Sequence, residues 1–308
     1  MNAYVKQFTL PQDAREEYDG YVYFASYFPS LPQLLETNIE AGQLTFEHID
    51  PTVCTVTDVL KNNHTVDLSD LFTKLANITI THAAIRHSEG GTVKFFVRRI
   101  ERITPEVIST YEKWVRQHPS ITVNSRHIET RADLMKQTLA SAHSFTHGLC
   151  APSQGDLHER NIFVDGTVVD FEAAGWNLIA TDVATFLWHT LFVGNYFGPR
   201  YAKWATHEDR VEAEATSPQL ITSGDTITIQ LNEARSSLTR QYLEHFLKPI
   251  LALDDTLEQE LTTAMCFRLF TTFAVLELSE EDRHLAFSLA NYLASAGTLT
   301  VLDDILNR

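Results

Sequence analysis

The sequence predicts an α+β protein, with an N-terminal portion of short strands around one helix up to about residue 50 and a mainly helical remainder. Three observations predict it. Strand-like runs bracket a helical stretch before residue 50, and helix-start signals recur after residue 100. Between them an Asp-Gly pair, Asp165-Gly166, separates Ile162-Phe163-Val164 from Thr167-Val168-Val169. At 308 residues, 44% of them hydrophobic, the chain can fill one large core or two modest ones.

Residues 3–8 read as a strand carrying Lys6, and 11–28 as a helix in which Arg15-Glu16-Glu17 precede an apolar face of tyrosines and phenylalanines. Residues 31–35 and 43–49 read as two strands joined by a turn at Ala41-Gly42, with Pro51 breaking the chain after them. The pattern then turns helical. Residues 67–77 form one candidate helix, and 92–103 fit either a strand or a helix. Thr104 as N-cap and Pro105 at the first helical position open a helix to about Gln117. Thr130-x-x-Asp133 opens another to His147, stopped by Gly148, which places His143 and His147 on one helix surface. Thr181-Asp182 enters an apolar helix through Leu187 and Trp188, and Ser223-Gly224-Asp225 marks a small hairpin. Three helices close the chain, one apolar on nearly all sides and the last running from Ser279-x-x-Asp282 to Gly297.

The Asp-Gly pair predicts a two-residue type I′ turn, because both central residues need positive φ. That turn would set Val164 opposite Thr167, Phe163 opposite Val168, Ile162 opposite Val169 and Asn161 opposite Asp170. Directly opposed Cβ atoms lie about 4.5–5.5 Å apart, so an amide oxygen and a carboxylate there can share one hard cation such as Mg²⁺. Five residues before Asn161 stands a second acid, Asp156, on a loop opened by Gly155.

Asp156-Leu157-His158-Glu159-Arg160-Asn161, followed by Asp170-Phe171-Glu172, resembles the catalytic order of kinases: base, metal amide, metal carboxylate. With Gly155 before the base and Glu172 after the second acid, it is similar to the aminoglycoside phosphotransferase and choline kinase type of small-molecule kinase. The signature of that family is His-Gly-Asp-x-x-x-x-Asn, then Ile-Asp-Trp/Phe-Glu. Gln154 stands where the family has His, so an amide must supply whatever bond orders the loop, and the hairpin is a few residues shorter. The resemblance implies a bilobal protein-kinase-like fold, with an abbreviated β lobe over 1–50 and a helical lobe over 51–308.

It also implies roles. Asp156 would orient and deprotonate an acceptor hydroxyl, while Asn161 and Asp170 would hold Mg²⁺. Lys6 would steady the phosphates of ATP or GTP, paired with Glu16 or, failing that, Glu17. The backbone of Glu47, His48 and Ile49 would meet the nucleotide base at an interlobe hinge, and Asp182 would bond the catalytic loop from a buried helix start. The implied activity is transfer of the γ-phosphoryl group to a hydroxyl of a small molecule such as an aminoglycoside, choline, a sugar or an amino alcohol. No Gly-x-Gly-x-x-Gly occurs, and five residues precede Lys6. Two alternatives follow: a chain that begins inside a longer product, or a lobe without its phosphate-covering loop. Either way the 308-residue form is expected to bind nucleotide weakly, and the rival function is a pseudokinase that binds without turnover.

Composition narrows the partners. A formal net charge of −16 argues against nucleic acid and anionic membranes, which demand basic surfaces, and suits a cationic acceptor. No run of about eighteen apolar residues and no signal-peptide layout occurs, and three scattered cysteines argue against a disulfide framework or a zinc site. The expected location is cytoplasmic.

Overall fold

A computed structural model of the protein describes residues 3–28, 31–47, 53–190, 194–202 and 205–307. It is a mixed α/β structure with three small sheets set among helices.

The first sheet is antiparallel, in the order β1-β3-β2, with β1 at Ala3–Gln7, β2 at Leu34–Asn38 and β3 at Gln43–Glu47. Its one helix, α1 (Pro11–Ala25), begins with Pro at the first helical position and buries the stripe Ala14, Glu17, Gly20 and Phe24. The packing is close. A Cβ at Gly20 would lie 1.9 Å from the Phe171 carbonyl oxygen, so only glycine lets α1 approach that backbone.

After α2 (Val56–Lys61) and α3 (Ser69–His82) comes β4 (Ala84–His87), then α4 (Gly91–Ile100), which resolves the ambiguous 92–103 stretch as a helix. α5 (Pro105–Gln117) matches its expected span, with the Thr104 side chain accepting from the Val107 N–H. β5 (Ser120–Val123) and β6 (Arg126–Glu129) form an unforeseen hairpin.

α6 (Leu134–Ala142) ends well short of His147, which instead begins β7 (His147–Ser153) and pairs with His87. The expected helical pair of His143 and His147 is therefore incorrect: Cys150 and Ala151 are buried in the sheet with order β4-β7-β8, where β8 is Gly175–Leu178. Strand pairing overrides the local helix signal here.

α7 (Ile179–Thr190), α8 (Gly194–Tyr201) and α9 (His207–Thr216) follow. β9 (Gln219–Ser223) and β10 (Thr226–Gln230) make the hairpin expected at Gly224-Asp225, and β10 joins β5 in parallel, completing the order β6-β5-β10-β9. α10 (Glu233–Tyr242) passes through a π-helical turn into α11 (Lys248–Leu251). The chain closes with α12 (Leu257–Thr271), α13 (Glu280–Ala296) and α14 (Thr298–Leu306). Ser279 caps α13 through the Asp282 N–H, and Gly297, at φ +80°, ends it as its sequence box predicts. Among the described residues no single helix is long and apolar enough to cross a membrane.

The largest buried side chains, among them Trp188, Tyr111, Tyr242 and Phe267, come from α5, α7, α10 and α12, so the main core lies among these helices. α1 reaches it through Phe24, which packs on Phe171.

Candidate active site

Residues 154–174 are one excursion between two paired strands: Ser153, at the end of β7, faces Gly175, at the start of β8. The excursion leaves and re-enters the sheet at a single point, so its internal bonds and those it makes to β1 and α1 decide what its acids do. Gly155 allows the exit. It sits at φ +86°, and a Cβ there would lie 2.1 Å from the Ala173 carbonyl oxygen.

The hairpin inside the excursion differs from the expected one. Phe163 N–H donates to Thr167 O at 2.9 Å, Gly166 N–H to Phe163 O at 2.9 Å, and Ile162 pairs with Val168. The loop is thus three residues, Val164-Asp165-Gly166, with Gly166 at φ +84°, the arrangement of a turn followed by a left-handed bulge residue. Asp165 fixes it by accepting from the Thr167 N–H at 2.9 Å. The register therefore slides by one residue. Asn161 is bonded to Val169, whose N–H donates to the Asn161 carbonyl at 3.1 Å, and the expected pairing of Asn161 with Asp170 is incorrect.

Asp170 reaches the site by another route. Its backbone turns left-handed, φ +68°, a conformation rare outside glycine, asparagine and aspartate. Bonds on both sides hold it there. Gln154 Nε2 donates to the carbonyls of Val169 (3.1 Å) and Asp170, and the next N–H, that of Phe171, donates to Glu17 Oε2 at 3.0 Å. Gln154 Oε1 meanwhile accepts the Asp156 N–H at 2.9 Å. The buried amide of Gln154 therefore joins the Asp156 loop to the Asp170 turn, the ordering task that the sequence left to it.

Lys6, on β1, closes the group. Its Nζ lies 2.6 Å from Asp170 Oδ1 and 3.0 Å from Glu17 Oε1. Glu17 is the acid that α1 contributes, and the expectation of Glu16 in that place is incorrect. Glu16 lies on the outer face, where Gln12 Nε2 donates to it at 3.1 Å. The helical period explains this, because position 17 shares the buried stripe of 14, 20 and 24. Glu47, exposed at the end of β3, pairs across to Ala3, while His48 and Ile49 lie outside the described residues.

The charges are coupled. Burial opposes the Lys6 ammonium, but Asp170 and Glu17 outweigh it and raise its pKa. Burial likewise raises the Glu17 carboxyl. Lys6 pulls it back only in part, and Asp170 adds to the rise. An isolated ion pair would shift its two members in opposite senses. Here the enclosure of Glu17, 1% exposed, decides the sign. Burial, then the Asp170 charge, also raises Glu172.

Asp170 and Asp156 both bear on Glu172, with Lys6 opposing them, an excess of negative charge that a divalent cation would relieve. The donor set fits Mg²⁺, since all are hard oxygens. Asn161, 6% exposed, spends its Nδ2 on the Asp156 carbonyl at 3.0 Å, so Oδ1 is the atom it could offer a cation. His158 stands beside Asp156. Its Nδ1 accepts the Arg160 N–H at 3.2 Å, and its Nε2 lies 3.9 Å from Asp156 Oδ2. Asp182 lies in the first turn of α7, where burial pushes its carboxyl up to about 7 against a lowering contact with Ser153. No bond from its side chain to the 154–161 backbone is present among the described residues.

No family model matches the chain, and no curated protein matches it either. Among solved structures the chain is similar to kinases of a small molecule. One is a glucosamine kinase, solved in complex with glucosamine, ADP and inorganic phosphate, at TM-score 0.49 and 17% identity over 95% of this chain and 76% of that one. Two further glucosamine kinase crystal forms match at TM-scores of 0.47 and 0.49, with 16% and 17% identity, over 95% of this chain and 73% of each.

Proposed function

We propose that the chain is a cytoplasmic Mg²⁺-dependent phosphotransferase that moves the γ-phosphoryl group of ATP or GTP to a hydroxyl of a small molecule. On this reading β1 to β3 and α1 form a nucleotide lobe over residues 1–50, and residues 51–308 form the lobe of the base and metal ligands. The observation that carries it is the joining of Lys6, Glu17 and Asp170 to the Asp156 loop through Gln154. An ordinary hairpin has no physical use for a strand lysine, a buried helix acid and a left-handed aspartate tied together.

Asn161 and Asp170 would hold the ion, which supplies charge neutralisation on the phosphates. Lys6 would turn from Asp170 towards the phosphates while Glu17 keeps its ammonium in place. Asp156 would accept the proton as the acceptor oxygen bonds to phosphorus and the bond to the β-phosphate oxygen breaks. Its loop geometry is preset by Gln154 and Asn161, so little reorganisation is left for the reaction.

Two substitutions test this. Asp156→Asn should leave Mg·nucleotide binding within a few-fold and cut transfer by about 10²–10⁴. Asp170→Ala should abolish the Mg²⁺-dependent part of nucleotide binding in calorimetry, and an unchanged metal response would sink the assignment. A second reading, a nucleotide-binding module without turnover, draws on the direct contact of Lys6 with Asp170, which already satisfies both charges. Transfer undetectable across amino sugars, amino alcohols, sugars and hydroxy acids, with Mg·nucleotide still bound, would favour that reading.

A further inference from the structure

The strongest departure from ordinary charge pairing lies near the candidate base, where α12 buries one arginine and α4 holds a second that is partly exposed. Arg268, on α12, is 2% exposed. Its guanidinium carbon lies 4.9 Å from the ring centre of Trp188 and 5.7 Å from that of Phe96. Its Nη1 donates to Thr185 Oγ1 at 3.3 Å, while its Nε has no partner. Arg99, on α4, has a covered Nη1 that is also without one. Trp188 leaves a third buried N–H, its Nε1, unpaired. Neither arginine forms an ion pair among the described residues.

The surroundings are cationic. Arg99 is opposed by Arg102, Arg268 by Arg99, and the carboxylate acting on both is that of Asp156. Arg102 is otherwise engaged, donating to the carbonyls of Thr271 (2.8 Å) and Thr272 (2.7 Å) at the end of α12. His189, beside Trp188 and His158, has its pKa lowered by burial and then by Arg268.

Two guanidiniums with no acid in ion-pair contact among the described residues, and Asp156 alone acting on both from farther off, stand out in a chain of 40 acidic and 24 basic residues. Leaving a buried charge unpaired costs stability, and an apolar replacement of like volume would remove that cost. The orphaned groups are all N–H donors, so what completes them must be an acceptor that carries negative charge.

We infer that Arg99 and Arg268 bind an anionic group of the acceptor, making the substrate a hydroxy acid or phosphorylated alcohol whose hydroxyl meets Asp156. This inference rests on the phosphotransferase reading for the identity of the hydroxyl's partner. The anionic tail takes no part in the bond changes: it fixes distance and orientation. The inference also departs from the cationic acceptor that net charge favours, because a local pair of unpaired guanidiniums outweighs a diffuse surface charge.

The test uses the full chain and the probes D-glycerate, D-gluconate and inorganic phosphate, against D-glucose and D-glucosamine at matched ionic strength. At least one anionic probe should raise the melting temperature, and should do so with Mg·ATP already bound. Arg99→Gln, at a partly exposed position, should weaken that probe by about 10-fold or more in calorimetry. Arg268→Met should melt no lower than the parent without probe and lose the response. The inference is overturned if no anionic probe binds better than glucose and glucosamine. It is equally overturned if Mg·ATP displaces the anion, which would give the arginines to the nucleotide, or if both variants keep the response. Asp170→Ala separates the two claims: it removes Mg·nucleotide binding if the kinase reading stands, and leaves the anion response in place whether that reading stands or not.

Discussion

Two clusters of buried charge flank Asp156, and they are built on opposite plans. On one side Lys6, Glu17 and Asp170 satisfy one another at 2.6 and 3.0 Å. On the other, Arg99 and Arg268 repel each other and leave donors unfilled. A cluster that closes on itself stabilises the fold before any ligand arrives. An unclosed one weakens the fold until something completes it, which is the usual direction of a stability–function trade-off. The contrast separates what the protein holds ready from what it awaits.

The comparison can be broken first at Gly20. A Cβ there would strike the Phe171 carbonyl, so Gly20→Ala should push α1 off the Asp170 turn and cost about 3 kcal/mol, the upper part of the overpacking range. Urea unfolding measures it, and a change below about 0.5 kcal/mol would mean that α1 does not hold the closed cluster.

Lys6→Met comes next. It leaves Glu17 enclosed without its cation and should cost about 2–3 kcal/mol, less than for a fully enclosed pair because Lys6 is a quarter exposed. The cost has a pH signature. Glu17 already has a raised folded pKa, so it binds its proton more firmly folded than unfolded, and the stability it contributes is lost as pH rises. Removing Lys6 raises that pKa further. The variant should therefore be close to the parent near pH 5 and fall progressively behind towards pH 8. A deficit independent of pH would show that the lysine contributes packing alone.

Gln154→Ala should cost about 2 kcal/mol, since it strips partners from two carbonyls and one N–H, and should slow transfer by roughly 10-fold through a loosened Asp156 loop. Normal kinetics in a variant destabilised to that extent would confine Gln154 to the fold. The smallest effect belongs to Glu16→Gln, expected within about 0.5 kcal/mol of the parent and with unaltered nucleotide affinity. A large loss there would reinstate Glu16 and undo the assignment of Glu17.

The order of chemistry along the chain was legible because it is written in adjacent residues: Asp156, Asn161, the Asp-Gly turn and Asp170. So were α5, the β9–β10 hairpin and the capped helix α13, each announced by a cap or turn residue whose bond is local. What the sequence concealed depends on distant partners. The one-residue slide of the hairpin follows from a bulge that only the backbone bonds of Phe163, Gly166 and Thr167 define. The strand at His147 exists because Ala84–His87 is there to pair with it. Glu17 was readable, since its place on the stripe of Ala14, Gly20 and Phe24 marks it as the buried acid of the helix. Arg99 and Arg268 were not, because 169 positions separate them and nothing local distinguishes a buried arginine from a solvated one.

The left-handed turn at Asp170 has an evolutionary consequence. At φ +68° the backbone favours glycine first and then asparagine and aspartate, so the two replacements that suit the chain best are ones that remove the carboxylate. Each lies one base change from an aspartate codon. Only the ion pair with Lys6, and not the backbone of the turn, then protects the group on which turnover would depend. A single transition in the gene would keep the turn, forfeit the Lys6 contact and remove the carboxylate, leaving a chain that could still compete with its parent for the same ligands.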